Sequence, residues 1–119
     1  MEPVNMAIDL SNSPSIQLRA VNKEAGESFR AMRQAVMSAG PLDGRTCELI
    51  VLSSLASTGL ELSFKVHALK ARKAGIDKAA LQHAVLVTLG AATVIMRITE
   101  ALRWLEEVEA EFAHVADEG

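Results

Sequence analysis

Apolar residues recur along this chain at spacings of three and four, and no stretch alternates apolar with polar as a half-buried strand would. Over 27–39, Phe29, Met32, Val36 and Met37 fall on one helical stripe. From Asp43 to about Ser57 the apolar positions Leu49, Ile50, Val51, Leu52, Leu55 and Ala56 go right round the axis, the pattern of a helix in the middle of a fold. The faces then separate over Glu61 to Ala74: Glu61, Lys65 and Arg72 share a solvent side, Leu62, Val66 and Leu69 form a packing stripe, and Ser63, His67, Ala71 and Ala74 a third. Lys78 to Leu89 reads as a further helix. A long final one runs from near Ala91 to about Val115, with Ile95, Ile98, Leu102, Leu105 and Phe112 as its seam. Trp104 and Val108 widen that seam enough to serve an intersubunit contact. The pattern predicts an all-α chain of about six helices.

The breaks between periodic segments carry their own chemistry. Ser13-Pro14 is a start signal, with Ser as N-cap and Pro at the first helical position. The short helix that follows should reach Lys23 and break around Gly26. Gly40-Pro41 ends the next, Asp43 caps the central helix, and Thr58-Gly59 closes it. Gly75 and Asp77 form a C-cap followed by a new N-cap, and Gly90 divides the last two helices. Residues 1–12 are polar and aperiodic and read as a flexible N-terminal arm, leaving 13–119 as a single helical domain.

Composition adds an expectation of self-association. In 119 residues, 50% are hydrophobic and only 3% aromatic, with a mean hydropathy of +0.20. So small a domain leaves much of its surface exposed, and large apolar patches usually meet another subunit. A homo-oligomer is expected. The net charge of −3 and the lack of a basic, aromatic-studded face argue against nucleic acid. Basic residues cluster at Lys65, Lys70, Arg72, Lys73 and Lys78, and acidic ones at the C-terminus. Cys47 is the only cysteine, so neither an intrachain disulfide nor a CxxC pair can form, which suits a reducing cytoplasm. The first fifteen residues lack the basic and apolar regions of a signal peptide. Ala79 to Met96 is uncharged, yet Gln82, His83, Thr88, Gly90 and Thr93 interrupt it, so no membrane span is expected.

The candidate chemistry lies on two successive helices. Glu48 shares a stripe with Leu52 and Leu55, so its carboxylate should be partly buried and in need of a donor. His67, among small residues, is the candidate general acid or base; a nearby carboxylate would fix its tautomer and raise its pKa. The plain alternative is a core histidine satisfied by that glutamate. Ser63, one turn before His67, completes a weak Ser-His-Glu arrangement, although a serine at a helix start usually caps. Cys47 reads as an inert buried thiol, His83 as a packed side chain, and Met32, Met37 and Met96 as core filler. No metal-ligand spacing links His67, His83 and His114, and no cofactor is expected.

The stretches LDGRTCELIVLSSLASTG, the helix with His67, and KAGIDKAALQHAVLVTLGAA resemble the carboxymuconolactone decarboxylase and alkylhydroperoxidase D superfamily. The similarity runs from about Phe29 to Leu105, and its most specific parts are LDxRTxEL, HxxxARxAG and the Gly90 break. The resemblance implies an all-α fold that assembles into trimers or hexamers. In redox-active members a CxxC pair precedes the histidine; those positions are Leu60 and Ser63 here, and a second family histidine would fall at Leu62. The family glutamate, nineteen positions before the histidine, is Glu48. In the decarboxylase branch a glutamate stands at the position of Ser63, with Glu61 the neighbouring acid. The resemblance therefore implies a proton-transfer enzyme of the lactone or keto-acid decarboxylation type, using His67 oriented by Glu48. Its alternatives are a catalytically lapsed oligomeric scaffold and a peroxidase that would need another thiol.

Overall fold

A computed structural model describes Ile8 and residues 13–118, with side chains through Ala116. The expected N-terminal arm therefore lies outside the described residues except for Ile8, which is half-buried against the core. Six helices follow: α1 (Pro14–Val21), α2 (Lys23–Met37), α3 (Gly44–Thr58), α4 (Glu61–Lys73), α5 (Lys78–Leu86) and α6 (Ile95–Glu118). Among the described residues there is no strand, only an isolated bridge between Leu89 and Thr93. The fold is all-α.

The core belongs to α3–α6. Leu52 and Ala56 of α3 meet Phe64, Ala68 and Leu69 of α4, Leu81 and Val85 of α5, and Ile98, Leu105 and Val108 of α6. At its centre the Phe64 and Trp104 rings lie 5.5 Å apart and tilted by 56°. Trp104 and Val108, expected to face another subunit, are buried within their own chain at 6% and 0% exposure. Their helix is wrapped by α3, α4 and α5, so the widened face is used internally. Conversely Ile95 (63%), Met96 (78%) and Met32 (46%) are exposed rather than seam or core, and Leu62 (44%) does not join the packing stripe.

Arg72 also departs from expectation. Its guanidinium binds Glu109 through Nε (2.6 Å) and Nη2 (3.2 Å), donates to the Ile76 carbonyl and lies 4.2 Å from the Phe112 ring centre. The long α6 reaches back across this side of α4, so a face that looks solvated in the sequence is half covered. Lys65, with Glu61 at 2.6 Å and Glu107 at 3.1 Å, shows the same coverage.

Local signals place most helix ends. Asp43 and Asp77 accept from Thr46 and Ala80 backbone N–H groups at 2.7 and 2.8 Å, capping α3 and α5. Gly59 ends α3 at φ +72°, where the Leu60 N–H reaches the Leu55 carbonyl and α4 turns back along α3. Ser13 departs from its expected role: it supplies its backbone carbonyl to Ile16 and Gln17 but no side-chain cap. The gap between α5 and α6 is also longer than the sequence suggests, spanning 87–94. There Thr88 accepts from three successive N–H groups, Ala91, Ala92 and Thr93, and Ser57 Oγ lies 2.6 Å from Thr93 Oγ1. These bonds hold a turn where the apolar run predicts helix.

The break expected at Gly26 lies instead at Asn22, which leaves helical geometry (φ −145°, ψ 104°) and accepts from the Ala25 N–H at 2.9 Å. Gly26 is inside α2 and buried because α1 crosses there: a Cβ at Gly26 would come within 2.5 Å of the Arg19 Cα. A Gly26→Ala variant should therefore push α1 off α2 while the core stays folded. Hydrogen exchange should show protection lost over residues 14–21 and kept in α3–α6; equal protection of α1 in both proteins would contradict the close crossing.

Candidate active site

Glu48 stands just past the first turn of α3, held there by the Asp43 cap. The Thr46 backbone and side-chain hydrogen bonds keep the Asp43 carboxyl below its ordinary range, so the cap stays ionised. His67 occupies the middle of α4, one turn beyond the Phe64 anchor. Because α4 folds back along α3, His67 Nδ1 and Glu48 Oε2 come to 3.7 Å. That exceeds hydrogen-bond length, so the carboxylate acts on the ring through its charge. The two side chains remain 35% and 40% exposed. They meet at the partly exposed surface rather than in the interior.

Burial pushes the His67 pKa down, the Glu48 carboxylate pulls it up, and the Lys70 and Arg33 cations push it down again; the net direction is below 6.5. Glu48 draws the pKa upward as expected, but burial and two cations outweigh it, so the net shift toward a raised value that the sequence suggests is not found. The imidazole is neutral at neutral pH. With Nδ1 turned to Glu48, Nε2 is the ring nitrogen left to accept a proton. Ser63 is half-buried one turn earlier on α4, and no hydrogen bond joins it to His67 among the described residues.

Two grooves border this region. One of about 530 Å³ runs between the end of α2 (Met37, Ser38), the start of α3 (Arg45, Glu48) and the end of α4 (Ala74, Ile76). The other, about 490 Å³, lies between α3 and α5 and includes Arg45, Ser53, His83 and Val87. His83 is therefore an exposed groove residue, not the packed side chain the sequence suggests. Cys47 is half-buried, with Sγ 3.8 Å from the Leu42 carbonyl oxygen. Among the described residues no three His, Cys, Asp or Glu side chains gather as a metal site, and no helix is long and apolar enough to cross a membrane.

A family model described as carboxymuconolactone decarboxylase matches residues 23–107. The chain belongs to that family. Comparison with curated proteins and with solved structures finds no match. The matched span opens on the first residue of α2 and closes within α6, so it takes in Glu48, Ser63 and His67 and leaves α1 outside. The positions where the resemblance sets the redox cysteines and second histidine, Leu60, Ser63 and Leu62, lie in and just before the first turn of α4; both leucines are exposed.

Two residues of this carboxymuconolactone decarboxylase family member that act on His67 escaped the sequence reading. Lys70 is noted there only as one of a basic cluster, yet it follows His67 by one turn. Arg33 acts on the ring through its charge from α2, an influence that no local spacing announces.

Proposed function

We propose that this chain is a small-molecule enzyme that transfers a proton at a carbon next to a carbonyl, as in lactone or keto-acid decarboxylation. The observation that carries the reading is a neutral His67 with Nδ1 at 3.7 Å from Glu48, beside a groove that Glu48 lines. His67 Nε2 accepts the proton of the substrate's carboxylic acid as the bond to that carboxyl carbon breaks, CO2 leaves and the electron pair of the broken bond moves onto the neighbouring carbonyl oxygen. The imidazolium so formed is stabilised by the Glu48 carboxylate, and the proton is then returned to carbon. Ser63 is a half-buried hydroxyl of α4 without the base contact that a nucleophile needs.

Homo-oligomer formation, as a trimer or hexamer, belongs to the same reading. Phe29, Met32 and Val36 form an exposed apolar stripe on α2, and Val94, Ile95 and Met96 form another at the start of α6.

The pH profile tests the chemistry. A base must be unprotonated, so kcat/KM for a β-keto acid should fall on the acid side with a midpoint below 6.5. Glu48→Gln removes the charge that draws the His67 pKa upward, so its midpoint should move lower still. An acid limb unmoved by that substitution, or moved upward, would leave His67 and Glu48 as a structural pair in a scaffold.

A further inference from the structure

We propose that the groove between α3 and α5 is a second small-molecule site, for a neutral and largely apolar ligand with one hydroxyl or carbonyl oxygen. Ser53 binds that oxygen. Glu48, Ser63 and His67 are absent from the groove lining, so the site stands apart from the one described above.

Ser53 is the deciding residue. Its side chain lines the groove, yet the residue is only 9% exposed. The neighbouring Ser54 hydroxyl donates back to the Ile50 carbonyl at 2.9 Å, as a helical serine commonly does. Ser53 has no hydrogen-bond partner among the described residues. Every fully enclosed side-chain nitrogen or oxygen among them does have one, so the Ser53 oxygen is not sealed in. It opens into the groove. A polar group buried this deeply is costly without a partner, and a ligand oxygen removes that cost. Water can reach it, but the neighbouring hydroxyls are already taken, Ser54 by Ile50 and Thr46 by Asp43. A water with so few partners is easily displaced.

The walls set the rest of the ligand. Ser53 lies two turns beyond Arg45 on α3, about 12 Å along the axis, with Leu49 between them. Ala80 and Ala84 face it from α5, and their small side chains leave the space open. The volume of about 490 Å³ suits a small organic molecule. Arg45 and His83 are the ionisable residues of the lining, and both are exposed. A charged ligand would meet them only where water screens the attraction. The buried end offers a neutral hydroxyl, which selects a neutral oxygen.

The probes are 4-ethylphenol, ethylbenzene and 4-ethylbenzoate, added to the full chain at neutral pH and followed by the His83 and His67 imidazole resonances. Saturable binding of 4-ethylphenol is expected, tighter than that of the other two, with His83 shifted and His67 unmoved. Ser53→Ala should weaken 4-ethylphenol by about three- to tenfold, the loss of one neutral hydrogen bond, and leave ethylbenzene unchanged. Since Ser53 makes no bond in the free protein, that variant should be no less stable than its parent. Ala84→Leu fills the groove and should abolish binding of both. Equal affinity for 4-ethylphenol and ethylbenzene, tightest binding of 4-ethylbenzoate, an unchanged affinity in Ser53→Ala, or no saturable binding would overturn the proposal. No saturable binding, together with a fall in sedimenting mass in Ala84→Leu, would give the groove to a second copy of the chain.

Discussion

Replacing Phe64 with alanine is expected to destabilise the fold by about 4 kcal/mol. Phe64 is fully buried, and its ring meets Trp104 at 5.5 Å. Its removal loses the transfer energy of a large side chain and leaves a cavity, together roughly 3–5 kcal/mol, of which the aromatic pairing accounts for about 1 kcal/mol. A domain of this size has about 5–15 kcal/mol in all, so the urea midpoint should fall by a large fraction of its value. Phe64→Leu, which refills most of the space, should lose less than half as much. The measurement belongs at fixed protein concentration, because association would add its own stabilisation. Phe64 lies one turn before His67, and the pair with Trp104 fixes α4 against α6. The softer variant should therefore also broaden or shift the His67 resonance. An unchanged urea midpoint in Phe64→Ala would mean that α4 and α6 do not meet through this pair.

The helices were legible because their signals are local. Asp43, Gly59, Gly75 and Asp77 each act within a few residues, and each stands where the sequence puts it. Gly26 misled because its reason is a second helix: glycine inside α2 admits the α1 backbone, whereas the break belongs to Asn22. The same holds at 87–94, where an apolar run reads as helix and a Ser57–Thr93 contact across the fold holds a turn. Arg72, Leu62 and Trp104 were misplaced for one cause: a sequence shows that a helix has faces but not which neighbour covers each. The long α6 covers the charged face of α4 and buries its own tryptophan there.

At the site, the meeting of Glu48 and His67 was legible, since a two-residue connection forces α4 back along α3. The electrostatic outcome was not. A carboxylate near an imidazole argues for a raised pKa only when nothing else is near. Here burial acts most strongly, and Lys70 on the same helix and Arg33 on α2 add to it. Burial and the two cations together outweigh the carboxylate. The exposed methionines are a related case: Met32 and Met96 look like filler in a helical pattern and stand on the surface in exposed apolar stripes.

His67→Gln is the substitution expected to cost the most in turnover. Glutamine keeps a polar side chain of similar length but cannot take a proton near neutral pH, so the loss measures proton transfer alone, about a hundredfold to ten-thousandfold in kcat. KM should change little, because glutamine replaces a neutral ring with a neutral amide and leaves the surrounding charges in place. The fold should persist, since His67 is 35% exposed and has no hydrogen bond short enough to lose. Acid stability offers a second, independent readout. The folded-state pKa lies below 6.5, so the unfolded chain binds more protons between those values, and stability falls as pH drops from 6.5 through the folded pKa. His67→Gln has no such proton to bind, and its stability should be flatter across that window. A variant with parental turnover would remove His67 from the chemistry. One that failed to fold while the parent showed no acid limb would make the histidine structural, with Glu48 as its counter-charge rather than its partner in catalysis.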